Sequence, residues 1–235
     1  ILCDIKSNIL FKYLISILLI SFISLLLIAQ PDIGQTLLVI FCWAALIFTS
    51  GINIYILLAI FIAGASLLAY LIIFVPKFDY IQGRIFSFFN RETGTHNFQS
   101  DKAIESITSG GFFGKGIGEG VLKNRVPEAH TDYIISVISE EFGVVAIMLI
   151  LLLFLILIYM VFKKISFETN DKAKLILIGS ISLILMQATI HIGVNIRLLP
   201  TTGMTLPFLS YGGSSIISTS ILAGIILNLT KRKIT

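Results

Sequence analysis

The sequence predicts an all-α, polytopic membrane bundle of about six transmembrane helices with one large extracytoplasmic loop. Two observations predict it. The chain is 56% hydrophobic and only 13% charged, about half the charged share of a soluble domain. Several unbroken apolar runs also approach the roughly 20 residues that carry a helix across about 30 Å of hydrocarbon. A β-barrel would need short alternating strands, and these runs do not alternate. A single membrane domain over 1–235 is expected, with 77–132 as a loop within it.

The first span is expected over 9–28. Gln30-Pro31-Asp32 breaks the chain before a shorter second span, 33–49, and Pro76 closes a third, 52–75. The polar segment 77–132 follows. The fourth span is clearest over 144–162, with a helix start expected near Asp132; the fifth covers 175–195 and the sixth 213–229. Cys3 and Cys42 are not expected to meet, and no metal-ligand spacing is present. The chain begins at Ile1 with no cleavable leader pattern, so it reads as part of a longer protein.

Charge orients the bundle, because cytoplasmic loops collect Lys and Arg. Lys6, Lys12, Lys163, Lys164, Lys172, Lys174, Lys231, Arg232 and Lys233 fall on one side when six spans alternate, opposed only by Asp4, Glu168 and Asp171. The segment 77–132 falls on the other side, with seven bases and seven acids. Both termini are therefore expected in the cytoplasm of a bacterial plasma (inner) membrane protein. The break at 30–32, the long loop and 197–214 would then share the outer face. Soluble nucleotides are absent there, so a nucleoside triphosphate is a poor substrate candidate. No nucleic-acid partner and no organic cofactor is expected.

Ionisable side chains at a membrane boundary are costly and mark candidate functional positions. The densest cluster runs from Val126 to Gly143. A helix starting at Asp132 would place Ser136, Ser139, Glu140 and Gly143 on its face, a stripe suited to a water-filled cavity. The alternative is that Thr131 or Asp132 caps the helix, and the sequence leaves both open. Glu140 and Glu141 lie deeper, where a carboxylate needs a cation, a metal or a proton; a structural ion pair is the plain reading for at least one. The glycine-rich stretch 110–120 lacks the Ser or Thr and the spacing of a phosphate-binding loop. Lys115, Lys123 and Arg125 could still attract an anion, although a solvated loop is the simpler reading. The segment 197–215 holds two prolines and three glycines and is too long for a tight hairpin. Broken backbone at membrane depth survives only where protein buries it or it lines a cavity. Gln187, His191 and Asn195 form a polar stripe on the fifth span, best suited to interhelical hydrogen bonds.

Pro127-Glu-Ala-His-Thr-Asp-Tyr133, Glu140-Glu-Phe-Gly143 and Gly203-Met-Thr-Leu-Pro-Phe-Leu-Ser-Tyr-Gly-Gly-Ser-Ser215 resemble the SEDS family (shape, elongation, division, sporulation), as do Gln30-Pro-Asp-Ile-Gly34 and Ser109-Gly-Gly-Phe-Phe-Gly-Lys-Gly116. The similarity runs in order over nearly the whole chain. Ala129 before His130, and the Gly-Glu-Gly-Val-Leu-Lys approach ending at Lys123, look like its division branch, FtsW, rather than the elongation branch, RodA. The resemblance implies a peptidoglycan glycosyltransferase that polymerises lipid II during division, with Asp132 as the essential carboxylate. It implies Lys123 and Arg125 as pyrophosphate contacts, and a substrate site lined by Glu128, His130, Thr131, Ser210, Tyr211, Gly212, Gly213 and Ser214. Asp132 would act as a base or hold a divalent cation such as Mg or Mn. The partners implied are lipid II, a class B penicillin-binding transpeptidase and other divisome membrane proteins. Family members usually have about ten spans, four more at the N-terminus than are read here, so activity of this chain alone is in question. A lipid II flippase and a non-catalytic scaffold for the transpeptidase are the competing readings.

Overall fold

The computed structural model describes residues 9–89, 95–121 and 126–231. It is built from eight α-helices among these residues: α1 (Ile9–Ala29), α2 (Ile33–Thr49), α3 (Ile54–Phe74), α4 (Asp79–Phe89), α5 (Thr95–Gly110), α6 (Ile134–Phe167), α7 (Asp171–Asn195) and α8 (Gly213–Thr230). Five of them, α1, α3, α6, α7 and α8, are long and apolar enough to cross a membrane. The sixth expected span is α2, whose 17 residues reach only about 25 Å.

The helix boundaries follow local chemistry. Asp32 caps α2, its Oδ1 accepting from the Gln35 N–H at 3.0 Å. Asn53 and Asn170 cap α3 and α7 by accepting from Tyr55 and Lys172. α3 ends at Val75, the extended residue that must precede Pro76. The loop 77–132 is more ordered than its polarity suggests, since it contains α4 and α5. Their own faces explain this: α5 lays Ala103 and Ser106 fully buried against α6.

α7 is the centre of the bundle. In the spanning windows 44% of its residues are buried, against 6–11% for the other four, and it packs on α2, α6 and α8. One apolar cluster joins Leu38 of α2, Ala103 of α5, Val137 of α6, Ile190 and Val194 of α7, and Val126, Ala129, Tyr133 and Met204 from the irregular segments. A second, at the opposite end, joins Val161, Leu177, Ile181, Ile184 and Ile226.

α6 is broken at Gly143, which has φ 77° and ψ −176°, a backbone state open essentially to glycine alone. The break admits the glycine-rich loop. The Gly143 α-carbon lies so close to the loop that an added Cβ would sit 2.2 Å from the Phe112 carbonyl oxygen. Val144 and Val145 donate to Gly111 and Phe112, while Lys115 and Gly116 donate to the freed carbonyls of Glu140 and Glu141. The expected stripe on α6 thus faces protein, not a water-filled cavity. Ser136, Ser139 and Glu140 are fully buried, with Ser106 donating to Ser136 O and Glu140 Oε2, and Ser139 to Ile107 O. Lys115 pairs with Glu140 at 3.1 Å, and the Val121 N–H donates to the same carboxylate. Glu140 is therefore a structural ion pair that pins the loop.

Gly143→Ala would combine a disallowed backbone state with this clash. It should destabilise the protein by about 2 kcal/mol or more, read as a lowered unfolding temperature of the detergent-purified protein.

Candidate active site

The turn before α6 is a local device. Glu128 adopts φ 54°, uncommon for a residue with a Cβ and a frequent mark of functional sites. The twist lets its carbonyl accept from the N–H groups of Thr131, Asp132 and Tyr133 at 3.1, 3.0 and 3.3 Å. Its carboxylate accepts from Thr131 Oγ1 at 3.0 Å. The α6 N-cap is Tyr133, with no side-chain cap bond. The capping reading of Thr131 and Asp132 is thereby excluded, because the chain is already turned by Glu128.

The irregular segment between α7 and α8 packs against this turn. Ser210 donates to Thr131 O at 2.7 Å and accepts from the Leu206 N–H at 2.8 Å; the Tyr211 N–H donates to His130 O at 2.9 Å. The polar stripe of α7 holds both pieces. Asn195 Nδ2 donates to Asp132 O and His191 O, each at 2.9 Å. His191 Nδ1 donates to Met204 O at 2.7 Å, and Gln187 Nε2 donates to Thr205 O at 2.9 Å and Ser215 Oγ at 3.0 Å. The stripe therefore serves hydrogen bonding between segments.

Asp132 is consequently fixed through its backbone, while its half-buried carboxylate stays free of any ion pair among the described residues. The carboxylate lies beside Gly203, where an added Cβ would be 3.6 Å from Oδ2. Burial pushes the Asp132 carboxyl above the ordinary aspartate range, and the negative charge of Glu128 adds to this; Thr131 and Arg84 act the other way. Arg84 is the cation that sequence reasoning missed. It projects from α4, donates to Thr201 O at 3.3 Å, and acts on both Asp132 and Tyr80. A lone Arg in an amphipathic loop helix carries no signal of such placement.

Residues 4–234 match the family described as cell cycle protein, FtsW/RodA/SpoVE. The chain belongs to that family. It is 37% identical over 210 residues to a probable peptidoglycan glycosyltransferase FtsW of Caulobacter vibrioides, covering 88% of this chain and 52% of that protein. It is 34% identical over 236 residues to the protein of the same description from Enterococcus hirae, covering 95% of this chain and 59% of that one. The chain thus spans about half the length of the curated relatives it matches. Among solved structures it resembles a chain from work on polymerization and crosslinking by a peptidoglycan synthase complex, at 29% identity and TM-score 0.74, covering 93% of this chain and 60% of that one. It also resembles a mutant of the rod shape determining protein RodA of Thermus thermophilus, at 28% identity and TM-score 0.62, covering 97% and 59%.

Of the site residues expected from the SEDS resemblance, Glu128, His130, Thr131, Asp132, Ser210 and Tyr211 come together. Gly212 caps α8, and Gly213 and Ser214 form its exposed first turn. Tyr211 is 77% exposed. Lys123 and Arg125 lie outside the described residues. No group of three or more His, Cys, Asp or Glu converges as a metal site among the described residues. Cys42 is buried and free, and Cys3 lies outside the described residues.

Two outcomes follow from this geometry. Ser210→Ala strands the Leu206 N–H and Thr131 carbonyl and should cost roughly 2 kcal/mol, measured by thermal unfolding. Asp132→Asn should raise the unfolding temperature at pH 7, because it removes a carboxylate that the fold penalises when charged. The carboxyl's folded pKa lies above its unfolded value, so the penalty is absent below the unfolded value, grows between the two values and is complete once pH exceeds the folded one. The gain should therefore fade as the pH is lowered in the same unfolding experiment.

Proposed function

We propose that this chain carries the catalytic centre of a peptidoglycan glycosyltransferase that polymerises lipid II, with Asp132 as the catalytic carboxylate. The observation that carries it is a partly buried carboxylate with no ion-pair partner among the described residues, set on a backbone tied from three directions. The carboxylates that serve the fold show what they serve, as Glu140 does in its pair with Lys115 and Asp32 in its cap of α2.

The reaction joins two lipid-linked sugars. An acceptor sugar hydroxyl attacks the anomeric carbon of the donor, the bond from that carbon to the pyrophosphate oxygen breaks, and undecaprenyl pyrophosphate leaves with the electron pair. Asp132 takes the hydroxyl proton. Pyrophosphate needs charge stabilisation more than a proton, so one base suffices, unlike the two-carboxylate arrangement of hydrolases. Lys123 and Arg125 are assigned to the pyrophosphate, while Glu128, His130, Thr131, Ser210, Tyr211, Gly212, Gly213 and Ser214 form the site wall. Should a Mg or Mn ion take part, Asp132 with Glu128 beside it is the set that would hold it, water and substrate phosphate oxygens filling the remaining positions. Such an ion would supply positive charge to the leaving group.

The distribution of Lys and Arg supports cytoplasmic termini and an outer active face, which is where lipid-linked sugars are polymerised. The likenesses to FtsW proteins support a role in division, with a class B penicillin-binding transpeptidase and other divisome proteins as partners. Likeness to a chain from a peptidoglycan synthase complex supports such a pairing.

The test is a gel assay for glycan strands from labelled lipid II, run on this chain and on a chain extended to the relatives' full length. Asp132→Asn should cut polymer at least about 100-fold without loss of membrane insertion. Full polymer yield from Asp132→Asn would refute the assignment, and lipid transport surviving it without polymer would favour a flippase. Partner binding with neither activity would leave a scaffold. With active protein, the acid limb of the rate should lie above the ordinary aspartate value of about 3.9, since burial raises this carboxyl.

A further inference from the structure

The end of the bundle opposite Asp132 carries a feature that polymerisation does not use. α7 packs closely on both α6 and α8, but α6 and α8 meet only briefly, leaving a groove of about 1550 Å³ between them. This exceeds the roughly 300–1,000 Å³ of compact small-molecule sites and suits a chain-bearing ligand. Its floor is α7, where Ile184 is fully buried. Its walls are apolar and open: Met160 of α6 is 63% exposed and Leu227 of α8 is 69% exposed.

The groove is not apolar throughout. Lys163, Lys164 and Lys231 stand at its outer rim with a single acid, Glu168. Lys164 pairs with Glu168 at 3.2 Å, and Lys163 lies over the Tyr159 ring at 5.9 Å from its centroid. The rim keeps two net positive charges where the apolar walls end. Apolar walls beneath a basic rim match a molecule with hydrocarbon chains and an anionic head, and basic pockets between spanning helices bind such headgroups.

We propose that the groove between α6 and α8 holds an anionic diacyl phospholipid, its chains against Met160 and Leu227 and its phosphate at Lys163, Lys164 and Lys231. The site is separate from Asp132 and does not depend on the polymerase reading.

The test is native mass spectrometry of the detergent-purified chain after exchange with dioleoyl phosphatidylglycerol or dioleoyl phosphatidylcholine, which differ only in the headgroup. Retention of phosphatidylglycerol should be favoured roughly 10- to 30-fold, the effect of two net charges at a membrane surface. Combining Lys163→Gln, Lys164→Gln and Lys231→Gln should bring the two lipids within about twofold. Glu168→Gln should shift the preference the other way, toward tighter phosphatidylglycerol binding, and Ala223→Phe, which fills a wall, should lower retention of both lipids. Equal retention of the two lipids by the unaltered chain, an unchanged preference in the triple variant, or a groove that exchanges no lipid because protein fills it would each overturn the proposal.

Discussion

A membrane interior offers no water to an unpaired backbone group, and this constraint governs the structure around Asp132. Between α7 and α8 the chain runs without helix from Ile196 to Gly212, yet Thr202, Met204, Leu206 and Ser210 are buried. Their peptide groups need partners that a helix would have provided. Two polar side chains of α7, His191 and Gln187, provide them for Met204 and Thr205, and Ser210 does so for Leu206. Asn195 of the same stripe and Ser210 reach the turn at Glu128, donating to Asp132 O and Thr131 O. Satisfying the broken segment and placing the carboxylate are thus one network. The side chain proposed as catalytic thus sits on irregular backbone whose neighbouring peptide groups are tied by hydrogen bonds.

The break at Gly143 solves a related problem on the other side of α6. The close approach of the glycine-rich loop to Gly143 brings Lys115 to the buried Glu140 carboxylate. The break frees carbonyls at Glu140 and Glu141, and the glycine loop supplies N–H groups to them and Lys115 to the carboxylate. Breaking such a pair by removing one member strands a buried charge and costs several kcal/mol, commonly about 3–5. Glu140 and Asp132 sit only eight positions apart, yet the first is ion-paired within the fold and the second has no ion-pair partner among the described residues.

The number and type of spanning helices were legible because hydrophobic length is a one-dimensional property, and Asp32 and Pro76 mark their boundaries as local chemistry dictates. The α7 stripe was legible as a hydrogen-bonding face because Gln187, His191 and Asn195 recur every four residues. α4 and α5 were hidden: both are short and lie in a polar stretch that reads as loop until α5 is seen packed on α6 and α4 on α3 and α5. The Glu128 turn was hidden as well, since nothing in Pro127-Glu128-Ala129 announces a positive φ, and so the capping alternative for Asp132 stayed open until the backbone showed Glu128 turning the chain first. Arg84 belongs to the same class, reaching the site only through the packing of α4.

The surroundings of Asp132 also bear on the base role proposed for it. Burial and Glu128 disfavour its charge, while Arg84 and Thr131 favour it. A full ion pair with Arg84 would fix the charge but weaken the group as a base, because a paired carboxylate gives up proton affinity. Here the guanidinium donates to Thr201 O and influences Asp132 without ion-pairing to it. Burial alone would instead drive the carboxyl toward its neutral form and remove the base. The net of these influences raises proton affinity, while Arg84 limits the rise. A general base works best when its pKa approaches the working pH, and the net upward shift of Asp132 is in the direction that the proposed role requires.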